Sequence, residues 1–410
     1  MNLVIHDLNE EEWNRISEKY KGWEIISDNG TIKPCIGCFG CWVKTPGRCV
    51  IKDGYDNMGA AIHRADEITV ISRYTYGGFS PFVKNVFDRS IGWVLPFFEI
   101  YQGEMHHKRR YPEDKPITFI FRGQMDDSDK TKAKSYVEAV CRNFHGIIKD
   151  VIFEECEKPG CKLSHNKISV KSNPEKIILL NCSLRGNNSN SKKFLDQIAP
   201  NIKANSESVN LSSYINRYDE LSEILRSAGT IVLGIPLYVD GIPSACLHLM
   251  ERLEHCDTEG AKHIYVVSNM GFYECTQLGN LMSMVRSWCK HCGYIYGGGV
   301  AIGGGEMMGS VLSSTDKGPV KIVAEGLNNL ADAINESKEI ADIYAGPLHF
   351  PRALYMLAAS SGWPIAAKKN GLKKNDLYRK EYQRNPVDKS PIFGIIYADG
   401  GSCRSKVDFE

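Results

Sequence analysis

A short segment near the N-terminus carries four cysteines with the spacing C-x2-C-x2-C-x7-C. The thiols belong to Cys35, Cys38, Cys41 and Cys49. Short spacings let one turning loop present several thiolates to an iron–sulfur cluster, and Pro46 and Gly47 would let the chain fold back to supply the last one. Zinc accepts the same thiolates, although structural zinc sites usually join two separated pairs. A metal-free thiol loop packed beside a cofactor is a third interpretation, and spacing alone does not decide among them.

A polar segment, NCSLRGNNSNS at residues 181–191, follows an apolar run and precedes a helical pattern. Hydroxyls, small residues and free backbone N–H groups at a helix start suit a phosphate. Asn and Ser also cap helices, but capping explains only one or two of the seven small or polar residues in a row. We therefore predict a phosphate-binding loop. Its predicted ligands are Ser183, Arg185, Asn187, Ser189, Asn190 and Ser191.

Both segments need a scaffold, and short apolar runs alternate with helical patterns along the whole chain. This alternation predicts βαβ units and parallel sheets. The strands expected in the first half are Leu3–Ile5, Trp23–Ile26, Ile68–Ile71, Ile117–Phe121 and Ile147–Phe153. Those expected in the second half are Ile177–Leu180, Ser208–Leu211, Thr230–Ile235, Ile264–Val267 and Tyr294–Ile302. Five strands per half predict an α/β fold with two tandem flavodoxin-like, doubly wound domains, each built on a five-stranded parallel sheet.

An internal similarity supports a tandem duplication. YTYGGFSPFVKNVFDR (74–89) aligns with YVDGIPSACLHLMER (238–252) once one residue is skipped. A polar stretch containing Pro and Gly separates the two halves. We predict a first domain at 1–155, a linker at 156–175, a second domain at 176–344 and a C-terminal extension at 345–410.

The bulk composition excludes several classes of protein. The 410 residues include 50 basic and 49 acidic ones, so the net charge of +1 gives no reason to expect nucleic acid or an anionic membrane as a partner. No apolar run reaches transmembrane length, and the N-terminus lacks the pattern of a signal peptide. The 14 cysteines then point to a reducing cytoplasm, where disulfides are rare.

Three segments carry a family resemblance: NCSLRGNNSNS, GIPLYVDGIPSACLHLMERL and NMGFYECTQLGNLMSMVRSWCKHCGYIYGGGVAIGGGEM. They resemble the NADPH-dependent FMN reductase and iron–sulfur flavoprotein superfamily. The resemblance covers most of 175–340 and, through the cysteine segment and the stretch after it, 33–89. It implies that FMN places its phosphate on the first segment. It also implies that the isoalloxazine ring contacts Pro236, Leu237, Tyr238, Val239, Asp240 and Gly241, and that Asn269, Met270, Gly271 and Phe272 complete the site.

The two halves depart from the family pattern in opposite ways. After its first strand the first half reads HDLNEEEWNRI, which places carboxylates where the phosphate would lie and would repel it. The second half reads ESVNLSSYINRYDE where a cysteine loop would belong. We therefore expect one composite site per chain, with FMN on the second half beside the cysteine loop of the first.

The leading hypothesis is an FMN-dependent oxidoreductase of the NAD(P)H:flavin or quinone reductase type. Its partners would be small-molecule or protein electron donors and acceptors, with NAD(P)H as one donor. Because the flavin carries the chemistry, no side chain need act as an acid or a base, and the catalytic residues stay unknown. The alternatives are an electron-transfer protein with a [4Fe–4S] cluster on the cysteine loop and a non-catalytic zinc-loop assembly module. Homodimerisation stays open, and the basic run His106–Arg110 is expected to be a solvated turn.

Overall fold

The structure is a computed structural model that describes residues 1–156, 170–171, 173–254, 258–259, 262–311, 318–346, 348–380 and 396–397. Most of the predicted linker and the end of the predicted C-terminal extension lie outside the described residues.

The first half forms a parallel sheet with helices on both faces. Its strands and helices are β1 Leu3–His6, α1 Glu10–Ile16, β2 Glu24–Ser27, α2 Gly40–Val43, α3 Met58–Arg64, β3 Ile68–Arg73, α4 Pro81–Arg89, β4 Val94–Tyr101, β5 Glu104–Arg109, β6 Lys115–Arg122, α5 Asp127–Phe144 and β7 Gly146–Glu154. The sheet order is β2-β1-β3-β6-β7, with all neighbours parallel. This is the flavodoxin-like order, in which β2 lies on one side of β1 and the later strands are added on its other side.

The second half repeats that order. Its elements are β8 Val170–Lys171, β9 Asn173–Asn181, α6 Asn190–Ile198, β10 Ser206–Asn210, α7 Tyr218–Arg226, β11 Ala228–Pro236, α8 Ser244–Glu254, β12 Thr258–Glu259, β13 His263–Asn269, α9 Gly279–Cys292, β14 Ile295–Ile302, α10 Gly305–Val311, α11 Lys321–Asn335 and β15 Ile343–Ala345. The parallel order is β10-β9-β11-β13-β14, and β15 extends it. The fold class expected from the sequence is therefore confirmed.

Each sheet has one strand more than expected. β15 pairs in parallel with β14, so the segment at the predicted boundary between residues 344 and 345 belongs to the second sheet. β16 Ile396–Tyr397, from the C-terminal extension, pairs antiparallel with β2 at the edge of the first sheet. The shared strand order agrees with a duplication but does not test it, and the domain boundaries likewise stay predictions.

An antiparallel hairpin of β4 and β5 is inserted into the first half between α4 and β6. The expectation of a solvated turn at His106–Arg110 is wrong, because His106 and Arg110 are buried. The Arg110 guanidinium donates to the carbonyl oxygens of Gly92 at 2.7 Å and Leu377 at 2.9 Å. The hairpin thus joins the first half to the C-terminal extension, whose helix α12 Arg352–Lys369 packs on β4.

The two halves pack through equivalent helices, α4 on α8 and α5 on α9. A buried ion pair between Lys84 and Asp88 lies within this contact. The Lys84 ammonium also donates to the carbonyl oxygen of Tyr238 at 2.6 Å, and Asp88 accepts from the backbone N–H of Ser244 at 3.0 Å. These bonds hold the second half's Tyr238 loop against the first half. Within the described ranges, none of the helices is both long and apolar enough to cross a bilayer.

Candidate functional site

The predicted phosphate loop lies at the carboxyl end of β9 and is organised by Asn181. The Asn181 side chain donates to the carbonyl oxygen of Gly186 at 3.0 Å and to Asn210 Oδ1 at 2.8 Å. Its Oδ1 accepts from the Ser183 N–H at 3.1 Å and from Ser189 Oγ at 3.2 Å. Because Asn181 is completely buried, these four bonds fix the loop before any ligand arrives.

The loop leads into the N-terminus of the nine-residue helix α6. Ser189 caps that helix by accepting the N–H of Lys192 at 3.1 Å. Ser191 accepts from Asn269 Nδ2 at 2.8 Å, which ties the loop after β13 to the phosphate loop. The capping interpretation of this segment therefore holds for Ser189, whereas the other polar residues exceed what a cap requires.

Arg185 projects from the loop towards the first half. Its guanidinium lies 5.9 Å from the ring centre of Phe39 in the cysteine loop and 3.2 Å from a carboxylate oxygen of Glu306. The side chains of this ion pair are 36% and 57% exposed, so the pair is weakly held and can exchange Glu306 for another anion. Asn187 and Asn190 stay at the rim: Asn187 accepts from Asn210 at 2.9 Å, and Asn190 packs on Gly309 of α10.

The predicted ring-contacting loop, Pro236–Gly241, makes a tight turn in which Val239 and Asp240 have positive φ. Thr75–Gly78 forms the equivalent turn in the first half. Asn143 Nδ2 donates to both carboxylate oxygens of Asp240, at 2.8 and 2.7 Å, and burial raises the pKa of this carboxyl. Asp240 therefore contacts the first half and is not open to a ligand.

Some residues of the loop after β13 lie in the core, and others lie at the candidate site. Met270 is buried in the core, whereas Phe272 contacts the rings of Phe98 and His107 in the inserted hairpin. The carbonyl oxygen of Gly271 accepts from the Tyr355 hydroxyl of α12 at 2.6 Å. The C-terminal extension therefore also borders the candidate site.

The cysteine loop of the first half lies on these second-half loops. Gly37 touches the hydroxyl of Tyr238 so closely that a Cβ on Gly37 would overlap it. Burial raises the pKa of the Tyr238 phenol well above the usual value, and the nearby Ser183 side chain opposes that shift. The cysteine loop of the first half and the Tyr238 loop of the second half are thus in contact, with the Tyr238 hydroxyl facing the cysteine loop.

Helix α4 anchors the cysteine loop. The Arg89 guanidinium donates to the carbonyl oxygen of Lys33 at 2.7 Å, to both oxygens of Asp53 at 2.8 and 2.9 Å, and to Cys49 Sγ at 3.1 Å. Asn85 adds a bond from the Cys35 N–H at 3.2 Å. The position of the loop therefore depends on side chains of α4.

The four thiols are not arranged as metal ligands. Throughout the described part of the chain, no group of three or more His, Cys, Asp or Glu side chains could hold a metal ion. Cys38 is exposed, Cys41 is buried, and Cys35 and Cys49 are partly buried. Burial raises the pKa of Cys35 to about 12. The assignment of these cysteines to a cluster or to zinc stays a prediction without geometric support.

An aromatic cluster lies beside the cysteine loop, and its members are far apart in sequence. Trp42 lies 4.6 Å from His107 and 5.2 Å from Trp363 between ring centres. Both His107 Nδ1 and Trp363 Nε1 are buried without a hydrogen-bond partner. Burial lowers the pKa of His107 to about 3, which keeps the ring neutral at pH 7. Two unpartnered ring nitrogens among aromatic rings suit a planar polar ligand.

The comparisons with known proteins are weak. No family model and no curated protein matches the chain. An azoreductase from Bacillus anthracis is similar in structure with 14% identity and a TM-score of 0.29, over 39% of this chain and 99% of that one. A flavone reductase has 12% identity and a TM-score of 0.33, over 40% and 66%. RosB, solved with bound 8-demethyl-8-formylriboflavin-5'-phosphate, has 15% identity and a TM-score of 0.31, over 57% and 99%. Similarity at this level assigns no activity.

The residues present fit FMN in part. The hydroxyls of Ser183 and Ser191, the start of α6 and Arg185 offer donors to a phosphate monoester. The Ser189 hydroxyl already donates to Asn181 Oδ1. Of the predicted ring contacts, Asp240 is held by Asn143, Met270 is buried, and the Tyr238 hydroxyl is covered by Gly37. Gly271 is exposed, and Leu237, Val239 and Phe272 are partly exposed.

Proposed function

We propose that this protein is an FMN-dependent oxidoreductase of the NAD(P)H:flavin or quinone reductase type, with one FMN per chain. The phosphate would lie on the loop from Ser183 to Ser191, and the ring would lie towards Phe39, Trp42 and Phe272. FMN supplies hydride and single-electron chemistry when it is bound.

One contact carries this proposal: the Arg185 guanidinium lies 5.9 Å from the ring centre of Phe39. This contact brings the predicted phosphate loop of the second half beside the four-cysteine loop of the first half. Phe39 stacks on Trp42 with ring centres 5.2 Å apart, and Trp42 leads to the unpartnered nitrogens of His107 and Trp363. Arg185 therefore lies beside a cluster of aromatic side chains.

The protein's own contribution would be binding, orientation and exclusion of water. Arg185 would exchange Glu306 for the phosphate, and Asn181 would keep the loop preorganised for it. Neutral His107 would offer Nδ1 as a hydrogen-bond partner to the ring edge. The rings of Phe39, Trp42 and Phe272 would keep water away from the reacting face.

The test begins with titration of the flavin-free protein with FMN, followed by flavin fluorescence, with an expected stoichiometry of one FMN per chain. Arg185→Ala should weaken binding by about tenfold, because a charge-assisted bond to phosphate is lost. Arg217→Ala is the matched control, since Arg217 also forms an exposed ion pair, with Glu220 at 3.0 Å. Two flavins per chain, or equal effects of the two substitutions, would overturn the assignment.

The reaction type is tested separately on the loaded protein. Anaerobic NADPH or NADH should bleach the flavin absorbance, and a quinone should restore it. A flavin that only dithionite or a protein donor reduces would refute the NAD(P)H part of the proposal, while leaving the FMN site intact.

A further inference from the structure

Helix α12 of the C-terminal extension has an exposed apolar face. No charged residue occurs between Arg352 and Lys368. Leu354, Leu357 and Ile365 are 51%, 67% and 61% exposed, and Leu357 is the most exposed large apolar side chain in the described part of the chain. A helix that is apolar on all sides is ordinarily buried, so the open face of α12 indicates a contact surface.

The exposed side chains of α12 form one stripe, whereas the opposite side of the helix packs on β4. The α12 stripe consists of Leu354, Leu357, Ser361 and Ile365. Their spacing of i, i+3, i+7 and i+11 keeps them on one side of an α-helix. Gly362, next to the stripe, is equally open, because a Cβ there would meet no atom within 4 Å.

Helix α5 shows how a long helix of this chain otherwise faces water. Both α5 and α12 have 18 residues. The exposed side of α5 carries Lys134, Ser135 and Glu138. The α12 stripe has no charged residue, so its exposure is not a general property of the long helices.

The charge around the α12 stripe is strongly positive. The whole-chain charge of +1 gives no reason to expect an anionic membrane as a partner, but residues 352–380 carry seven basic side chains and one acidic side chain, that of Asp376. Asp376 is already paired with Arg379 at 3.1 Å. The positive charge is therefore concentrated beside the apolar stripe.

Four exposed lysines follow the stripe at the C-terminal end of α12: Lys368, Lys369, Lys373 and Lys374. Lys368 and Lys369 lie three and four residues after Ile365, so they continue the stripe. Two lysines at the end of a helix complement its dipole. The dipole accounts neither for the second pair of lysines nor for the apolar side chains before them.

This pattern favours a lipid surface over a second copy of the chain. A helix that lies in the interface of an anionic membrane places apolar side chains at the acyl boundary and lysines at the headgroups. Two copies of α12 packed in parallel would place lysines against lysines. In an antiparallel pair the lysines would meet Arg352, which is already paired with Glu274 at 2.8 Å. Neither pairing lets α12 supply a carboxylate to the lysines, because the helix has none.

We propose that the α12 stripe docks this protein reversibly on the surface of an anionic membrane. The apolar side chains of the stripe enter the boundary between headgroups and acyl chains, and Lys368 and Lys369 contact lipid phosphates. Docking does not depend on FMN binding. Because α12 also supplies Trp363 to the aromatic cluster, docking brings the candidate flavin site close to the lipid.

The test is co-sedimentation of the full chain with lipid vesicles at low salt. Vesicles of equal parts phosphatidylcholine and phosphatidylglycerol should bind at least about tenfold more tightly than vesicles of phosphatidylcholine alone, because several lysines contribute. Added salt should weaken binding to the mixed vesicles, because it screens the lysines from the lipid phosphates.

Variants of the apolar side chains test the stripe itself. Leu357→Glu and Ile365→Glu should each weaken binding to the mixed vesicles by about tenfold, because a carboxylate cannot enter the acyl boundary. Ile147→Glu is the matched control, since Ile147 is 52% exposed on β7 of the first half, and it should bind nearly as the wild type does. Urea midpoints of all three should stay close to that of the wild type, because each substitution replaces an exposed side chain.

Variants of the lysines test the charge contact. Lys368→Glu combined with Lys369→Glu should weaken binding to the mixed vesicles by about tenfold or more. Lys203→Glu combined with Lys321→Glu makes the same change in net charge at two exposed positions of the second half, so its effect should be much smaller. Arg185→Ala should bind vesicles as the wild type does, which separates this result from the outcome at the flavin site.

Three outcomes would overturn the proposal. One is equal binding to the two kinds of vesicle. Another is binding by Leu357→Glu and by the Lys368 and Lys369 double variant that equals that of the wild type. The third is that the wild type does not bind vesicles. If it is then a dimer by light scattering and Leu357→Glu is a monomer, the α12 stripe is an interface between two copies of the chain instead.

Discussion

Gly37 of the cysteine loop lies directly against the hydroxyl of Tyr238, and this contact joins the two halves of the chain at the candidate flavin site. Gly37 has φ of +64°, and a Cβ there would overlap the phenol. Only glycine meets both conditions without a shift of the backbone.

We expect Gly37→Ala to lower FMN affinity and to cost about 1–3 kcal/mol of stability, because the cysteine loop or Tyr238 must move. Gly30→Ala is the control, since Gly30 has φ of +78° with nothing within 4 Å of its Cβ, so it carries the backbone strain alone. Tyr238→Phe combined with Gly37→Ala should recover part of the loss. FMN titration and urea unfolding measure both effects, and equal losses for the two glycine variants would contradict the prediction.

The buried pair of Lys84 and Asp88 is expected to position the Tyr238 loop. Both side chains are fully buried, and burial raises the pKa of Asp88 while Lys84 opposes that shift. Lys84→Met should cost about 3–5 kcal/mol, because it leaves a buried carboxylate without its cation. It should also weaken FMN binding, because the 2.6 Å bond to the Tyr238 carbonyl is lost.

Two comparisons check the Lys84 prediction in urea unfolding. Lys84→Met with Asp88→Asn should be less damaging than Lys84→Met alone, since no uncompensated charge remains. Lys321→Met removes a lysine that is 60% exposed, and it should have little effect. A double variant as unstable as the single one would show that the loss comes from packing and not from charge.

The scaffold was predictable from sequence because its signal is local. Runs such as Thr230–Ile235 are apolar and β-branched over several residues, and they lie inside observed strands such as β11. The phosphate loop could also be located, since small and polar residues directly follow such a strand. The extra strands β15 and β16 were missed because they are only three and two residues long.

The closing parts of the site could not be predicted, because they depend on contacts far apart in sequence. His107 comes from an inserted hairpin and Trp363 from the C-terminal extension, and both meet Trp42 only after folding. Arg110 looked like a solvated charge, yet its partner Leu377 lies 267 residues away. Asp240 was expected at the flavin, but packing between the halves pairs it with Asn143.

His6 should make the first half sensitive to acid. Burial lowers its pKa to about 4, and its ring stacks on Trp13 at 4.1 Å with Nε2 unpartnered. The folded-state pKa is depressed from 6.5, so neutral His6 contributes to the free energy of unfolding. This contribution is fully present above pH 6.5 and is lost as pH falls towards 4. The full loss is about 3 kcal/mol.

His6→Phe keeps a stacking ring but removes the titration. Between pH 7.5 and pH 4, the free energy of unfolding of His6→Phe should therefore fall by about 3 kcal/mol less than that of the wild type. His349→Phe makes the same change at an exposed histidine and should follow the wild-type curve. Urea midpoints across pH measure the slopes, and parallel curves for wild type and His6→Phe would show that His6 does not contribute.

The cysteine loop should react with alkylating agents in a fixed order. Cys38 is exposed, whereas Cys41 is buried, and burial raises the pKa of the Cys41 thiol well above its usual range. Because the thiolate is the reactive form, we expect Cys38 to be labelled well before Cys41. Peptide mapping after brief treatment with iodoacetamide measures the order, and Cys38→Ser should remove the fast label from this loop.

The same experiment separates the interpretations of the four thiols when the protein is purified without oxygen. A [4Fe–4S] cluster or zinc would protect all four thiols until the metal is removed, because each sulfur would be a ligand. A metal-free loop would instead show fast Cys38 and slow Cys41 from the start, with iron and zinc well below one per chain. Because the four thiols do not lie together as a set of metal ligands, we expect the second pattern. Uniform protection together with stoichiometric iron and sulfide would establish the cluster instead.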